Sequence, residues 1–231
     1  MGLVDIRAGG TTRVRDSTLR KREAIVEAAM RLFAERGYEG THVHHVAAKL
    51  GIAKGSVFQH FDTKEALFLA AYRQAIQSFP RWLDAPSQVR AQGFFATLRY
   101  WLGRTEATIR EDWVPNRIAL LGNNGTDLRI KREINRFLAE EDPYGTMDFV
   151  RFGIERGEVR TDIEPEMIAA MVDWLWERFQ DSLVAEEIDP GLFRRHGDRQ
   201  RRVRTDQFLE LLWSAVRAPG KEPLPGTAQR R

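Results

Sequence analysis

In the stretch Gly51 to Phe61, GIAKGSVFQHF, the side chains able to do chemistry are of the kind that read a nucleic acid, not the kind that break a bond. The amide of Gln59 can form a bidentate pair with an adenine edge, and Ser56 can bond to any base, so both are base readers by type. Lys54 and His60 add donors for phosphates or bases. Gly55 lets the backbone come close to a phosphate, because it carries no Cβ. Val57 and Phe61 have the spacing of anchors that face inward behind this polar surface.

Other chemistries find less support. Glu140, Glu141 and Asp142 form the densest acidic cluster. They sit at the end of an expected helix, with no histidine or nucleophile within reach in sequence and no phosphate-cradling glycine motif anywhere, so no enzyme is expected. His42, His44 and His45 place three imidazoles in four residues. By helical spacing His42 and His45 share a face while His44 does not, and no nearby acid completes a ligand set. They are read as a protonatable, phosphate-facing surface, with no metal and no cofactor expected. The chain has no cysteine, which excludes disulfides, thiolate metal sites and thiol nucleophiles.

The elements that must position these groups are helices. Ile25, Ala28, Ala29, Leu32 and Phe33 recur at the spacing of one buried helix face, and Gly37 stops that helix. Thr41 offers a cap for a second, short helix whose apolar set is Val43, Val46, Ala47 and Leu50, ended by Gly51. A third helix is expected from about Ala53 to His60. A fourth starts near Asp62, which has capping-box spacing to Glu65, and runs to about Phe79 before Pro80 halts it. Two short helices joined by a glycine-containing turn form a helix-turn-helix, whose second helix enters the major groove while the first crosses the backbone.

Residues 17–80 are therefore expected to be a DNA-binding domain. Before it, residues 1–16 are expected to form a basic arm without fixed structure, part of a run in which Arg7, Arg13, Arg15, Arg20, Lys21 and Arg22 face only Asp16. The net charge of the whole 231-residue chain is +3, so the distribution of charge says more than its sum. All six tryptophans lie beyond residue 80. There the pattern predicts helices over about 88–103, 106–121, 127–141, 146–156, 165–187 and 204–217, with no alternating strand, in a domain over 81–217. The Pro/Gly-rich segment 218–231 is expected to be a disordered tail. The fold class is all-α: a three-helix head joined to a larger helical ligand-binding and dimerisation domain.

Segments 168–183 and 208–216 are too apolar to cover one side of a small domain, and meeting their symmetry mates as a four-helix bundle buries both faces. Large rings suit a bulky hydrophobic or aromatic effector. Phe94, Phe95, Trp101, Trp113, Phe137, Trp174 and Phe179 are the candidate pocket walls, with Asn116 and Arg117 as orienting polar groups. The basic run Arg194 to Arg204 reads as a DNA-proximal segment, an anionic-effector site or a solvated loop. Asp5 and Arg7 interrupt the apolar stretch a signal peptide needs, and no run reaches membrane-spanning length, so a soluble cytoplasmic protein without membrane contact is expected.

Residues 24–67, AIVEAAMRLFAERGYEGTHVHHVAAKLGIAKGSVFQHFDTKEAL, resemble the DNA-binding domain of the TetR family of bacterial transcriptional regulators. The resemblance rests on Ala29, Leu32, Phe33, Gly37, Tyr38, Thr41, Val46, Ala47, Gly51, Gly55, Phe61, Lys64, Glu65 and Leu67, in order and without gaps. It implies a homodimer that binds a double-stranded DNA operator through its heads and a small molecule through its C-terminal domains. By matching position, Thr41 caps the second helix and touches phosphate, Lys54 to Ser56 face the groove, and Lys64 binds phosphate at the start of the fourth helix. Three positions depart from the pattern. Phe58 replaces the usual tyrosine and loses a hydroxyl bond to phosphate, leaving the ring to supply packing. Ala53 stands where a serine cap is customary, at a cost of about 1 kcal/mol, and His45 stands where an acid is usual. The function these residues suggest is a ligand-responsive repressor on a near-palindromic operator, with a constitutive DNA-binding dimer as the alternative.

Overall fold

A computed structural model describes residues 8–125, 127–141, 145–185 and 198–220. Among them the secondary structure is helical: α1 (Ala8–Arg36), α2 (Val43–Leu50), α3 (Lys54–Phe58), α4 (Lys64–Gln77), α5 (Ser87–Ala91), α6 (Phe94–Glu111), α7 (Val114–Asn123), α8 (Leu128–Glu141), α9 (Thr146–Glu155), α10 (Pro165–Val184) and α11 (Asp198–Val216). A single antiparallel bridge between Val159 and Arg217 is the sole β pairing among these residues. No helix among them is long and apolar enough to cross a membrane.

The backbone is already helical at Ala8, so residues 8–16, expected as an arm without fixed structure, continue α1. No proline interrupts the stretch, and a helix once nucleated extends at little further cost. Residues 1–7, the tail from 221 onward and residues 194–197 of the Arg194 to Arg204 run lie outside the described residues, as do Asp142 and the adjoining break.

The described residues form two compact units. One takes Met1–Gln77 together with Ile118–Phe137; the other takes Ser78–Arg117 and Leu138–Arg231. In the first unit Ile25, Ala29, Phe33, Val46, Val57, Phe61, Leu67 and Phe68 are buried. The Phe33 and Phe68 rings meet edge to face at 5.1 Å. Gly51 closes α2 at φ +64, where its N–H donates to the Ala48 carbonyl and that of Ile52 to the Ala47 carbonyl. This paired arrangement is the one glycine favours at a helix end. Leu50, expected in the buried set of α2, is only half-buried at the last position of the helix. The segment 118–137 joins this unit through α4: the Tyr72 hydroxyl donates to Asn123 Oδ1 at 2.8 Å, and Arg73 lies 5.3 Å over the Phe137 ring. A cleft of about 390 Å³ opens in the same unit, lined by Tyr38, Phe68, Leu120, Leu121, Asn124 and Ile130 among others.

The second unit packs around aromatic pairs. Phe94 stacks on Phe149 at 4.1 Å and Trp101 on Trp176 at 4.6 Å, within a core that also holds Leu98, Val172, Phe179 and Leu212. Gly93, at φ +114, precedes α6, and the first amide of that helix, Phe94 N–H, donates to the Glu158 carboxylate at 2.6 Å. That carboxylate satisfies one of the amides a helix start leaves unpaired. Pro165 occupies the first turn of α10, where its missing N–H removes no helical bond.

Candidate nucleic-acid interface

The surface that reads DNA by type is built on α3, a helix of five residues. Its inward side is Val57, with Phe61 just beyond its end, both buried. Its outward side is Lys54, Gly55, Phe58 and Gln59, all exposed, with Ser56 and His60 half-buried at the edges. Ala53 carries no side chain to cap the helix. Its backbone is extended, and its carbonyl accepts the Ser56 N–H at 2.9 Å, while Gln59 N–H donates to Gly55 and Phe61 N–H to Val57, both at 3.0 Å. So short a helix holds its shape because two anchors lock it to the core, not through propensity.

Gly55 is unexplained by the fold. Its φ is ordinary, and a Cβ built on it meets nothing within 4 Å. Glycine in a helix is less stable than alanine by about 1 kcal/mol, and no intramolecular contact offsets that difference here. What a bare backbone does provide is a close approach for an external surface. Phe58, three residues on, is 38% exposed, and Lys54 Nζ lies 5.5 Å from its ring centre, so this ring belongs to the outer surface and not to the packing beneath it.

Lys64 opens α4. Its Nζ stands 4.2 Å over the Tyr38 ring and 3.9 Å from the Glu39 carboxylate. Glu39 is almost fully exposed, so the aromatic face is the firmer support. Burial, and then the carboxylates of Glu65, Asp127 and Glu39, push the Tyr38 phenol above its usual range, so it stays neutral. Sequence reasoning placed Tyr38 only as part of a pattern and missed its role as the rest on which Lys64 is held; an aromatic directly after the helix-stopping Gly37 was the available signal. Arg22, from the basic stretch, lies 4.6 Å over the Phe61 ring at the base of α3. α4 itself is capped by Thr63 and not by Asp62: the Thr63 hydroxyl accepts the Ala66 N–H at 3.0 Å, because the helix starts one residue later than the spacing suggested.

Thr41 does not meet its expectation. It is 1% exposed, and its hydroxyl lies 3.0 Å from the Leu32 carbonyl and 2.9 Å from that of Gly37, tying off the end of α1. The residue at the cap position of α2 is His42, and Thr41 presents no surface to a phosphate. The histidine expectation changes too. His42 has extended backbone, φ −118 and ψ 149, so helical spacing does not govern where its ring goes. All three rings gather, with centroids 5.6 Å apart for His42 and His44, 5.4 Å for His42 and His45, and 4.1 Å for His44 and His45. The His42 N–H donates to His45 Nδ1 at 3.3 Å. Among the described residues no set of His, Asp and Glu is arranged to hold a metal.

The residues chosen as pocket walls have different surroundings among the described residues. Trp101 and Phe179 are core: Trp101 stacks on Trp176 and donates its Nε1–H to the Pro80 carbonyl, and Phe179 stacks on Phe208 at 4.5 Å. Phe94 is buried, and Phe95 packs against the same core. Asn116 is buried and donates its amide to Gln180 Oε1 at 3.0 Å, and Arg117 is half-buried in the same unit. Trp113 and Trp174 are exposed, Trp174 by 63%, and Phe137 belongs to the first unit. None of the seven lines the 390 Å³ cleft.

Residues 25–71 match the family described as "Bacterial regulatory proteins, tetR family". Over 204 residues the chain is 26% identical to the HTH-type transcriptional repressor AcnR of Corynebacterium efficiens, covering 88% of this chain and 96% of that one. It is 24% identical over 208 residues to the HTH-type transcriptional repressor DhaR of Mycobacterium sp., covering 84% and 91%. Among solved structures, that of SmeT, the repressor of the Stenotrophomonas maltophilia multidrug efflux pump SmeDEF, shares the fold with a TM-score of 0.59 at 21% identity, over 88% of this chain and 97% of that one.

Proposed function

Because the chain belongs to the TetR family of DNA-binding transcriptional regulators and is not an enzyme, we propose that it is a ligand-responsive repressor. Its dimer grips a near-palindromic operator with the outer faces of two α3 helices, set about 34 Å apart or at a multiple of that distance. The observation that carries the reading is Gly55, a helical glycine the fold has no use for, on an exposed face between Lys54 and Gln59. Within this reading Gln59 and Ser56 read bases, Lys54, His60 and His42 hold phosphate or base edges, Phe58 packs along the groove wall, and Lys64 anchors phosphate from the start of α4. Helix starts favour anions, which suits that last role. The repressor names of the full-length relatives support repression as the direction of control.

Dimerisation is supported by the second unit. Met167, Trp174 and Leu175 on α10 and Leu211 on α11 are large apolar residues left exposed, and the three on α10 recur at helical spacing on one face. Trp174 therefore serves the dimer in this proposal and not a pocket. The effector is hydrophobic or aromatic, in keeping with the rings of the C-terminal part of the chain. It acts only through a difference in affinity between the two head spacings.

A second reading, a DNA-binding dimer without an effector, is favoured by one observation: Trp101 and Phe179, two of the candidate walls, are engaged in stacked pairs of the core. One experiment separates them. Fluorescence anisotropy with an operator selected from a genomic library, against a scrambled duplex, should show specific binding tighter by about 10³-fold or more. Binding indifferent to sequence removes the repressor reading. A thermal-shift screen of apolar compounds then decides the effector: one that raises Tm and weakens operator binding supports it, and a screen in which no stabilising compound weakens operator binding favours the second reading.

A further inference from the structure

We propose that His42, His44 and His45 form a phosphate-contact surface that takes up protons when the operator binds, so that affinity for DNA rises as pH falls. The inference rests on the DNA-binding reading above. It starts from where the three rings lie: on the first turn of α2 and its cap residue, in the helix that crosses the DNA backbone in a helix-turn-helix, with His42 and His44 exposed and His45 half-buried.

In the free protein the cluster resists charge. The His42 N–H donates to His45 Nδ1, a bond that needs that nitrogen unprotonated. Two imidazolium rings at the 4.1 Å spacing of His44 and His45 would repel by about 1 kcal/mol even in water. The groups that act on His45 all oppose its protonation: partial burial first, then His44, then Arg36 from α1, then His42, and together they hold its imidazole below the usual range. No carboxylate is among them, and Lys54, the sole charged side chain of α3, is not among them either. The positive end of α2 works in the same direction.

A phosphodiester seated against these rings reverses the balance, because it is a fixed negative charge beside three groups one proton away from being cations. The His45 imidazole, held low in the free protein, then gains a neighbour that favours its charged form. The sign follows directly. The added affinity is fully present below its free-protein pKa and is lost as pH rises through that of the complex. With His45 held below the usual range in the free protein, the dependence falls in the region where histidine ordinarily titrates. Each imidazolium that neutralises a phosphate also adds about 0.9 to the salt slope of binding.

Operator affinity measured by anisotropy at about pH 6 and about pH 8, at matched ionic strength, should be tighter at the lower pH by about tenfold or more, with a steeper salt slope. The triple variant H42Q/H44Q/H45Q should lose that difference. Glutamine at position 45 keeps an acceptor for the residue 42 N–H, and a thermal melt checks that the head still folds. Because His60 is itself placed against phosphate or a base edge, the comparison is made in a His60→Gln background, where the three-histidine cluster should keep a pH dependence that the triple variant loses. Calorimetry of the unaltered protein in buffers of different ionisation enthalpy reads proton uptake directly, with no variant involved. Specific binding without pH dependence or proton uptake overturns this inference alone, as does a pH dependence that survives in the triple variant. Absence of specific binding at both pH values overturns the DNA-binding reading and this inference with it.

Discussion

The ammonium of Lys64 rests 4.2 Å above the centre of the Tyr38 ring, so a side chain at the start of α4 is placed by a residue of the turn that follows α1. Tyr38 is itself braced by Phe33, stacked at 5.9 Å, and by Phe68, edge-on at 5.1 Å. Tyr38→Phe keeps the ring and should leave operator affinity within about twofold. Tyr38→Leu removes the support, worth about 0.5–1 kcal/mol at an exposed site, and should weaken binding about two- to fivefold. Lys64→Ala should weaken all sequences alike and lower the salt slope by about 1. Equal affinities for Tyr38→Leu and the unaltered chain would contradict the support.

Gly55→Ala separates folding from binding. The methyl group enters open space and improves helix propensity, so stability in a denaturant titration should stay level or rise by up to about 1 kcal/mol. Operator affinity should fall by about tenfold or more, since in the proposed complex the methyl stands where the DNA backbone approaches. An alanine variant that binds as well as the original would show that the glycine has no part in the interface.

Gln59→Ala should act on sequence and not on charge. Its loss should relax discrimination at one operator position by about 1–3 kcal/mol and leave the salt slope unchanged. Competition against a set of single-base operator variants measures this. A uniform loss across the set would move Gln59 from the readers to the anchors.

Gly93→Ala should destabilise the second unit. Its φ of +114 lies where side chains are strained, and a Cβ there would come 2.5 Å from the Glu158 carboxylate, which also receives the first amide of α6. A loss of more than about 1 kcal/mol is expected, read from the denaturant midpoint. An unchanged midpoint would mean that Glu158 moves freely and that the amide bond to it contributes little.

Trp174→Glu together with Leu211→Glu should shift the chain from dimer to monomer in sedimentation while the monomer keeps its helical circular dichroism, because both side chains are already exposed in the single chain. Operator binding should fall by about 10²-fold or more as the second head is lost. A dimer that survives both charges would place the interface elsewhere.

Much of the head was legible along the chain. The inward set of α1, the stop at Gly37, the left-handed turn at Gly51 and the burial of Val57 and Phe61 follow from local periodicity and from the few residues that accept positive φ. The face of α3 turned to solvent followed from the same count. Where the reading missed, the cause was a contact with the preceding element or a residue just outside a helix. Thr41 looked like a cap because its type and place suit one, yet its hydroxyl is engaged by the carbonyls of Leu32 in α1 and of Gly37 just beyond it. His42 was counted on a helical wheel, but its backbone is extended and brings its ring to the other two.

By itself, then, the sequence determined the helical class, the helix-turn-helix and the outward polar face of its second helix, because each depends on side chains a few residues apart. Tertiary structure alone decided that Tyr38 holds Lys64, that the segment 118–137 packs with the head, and that Trp101 is core while Trp174 is surface. An aromatic residue is equally apolar in a core, a pocket or an interface. Only the packing around it, summed over contacts from distant parts of the chain, selects among the three.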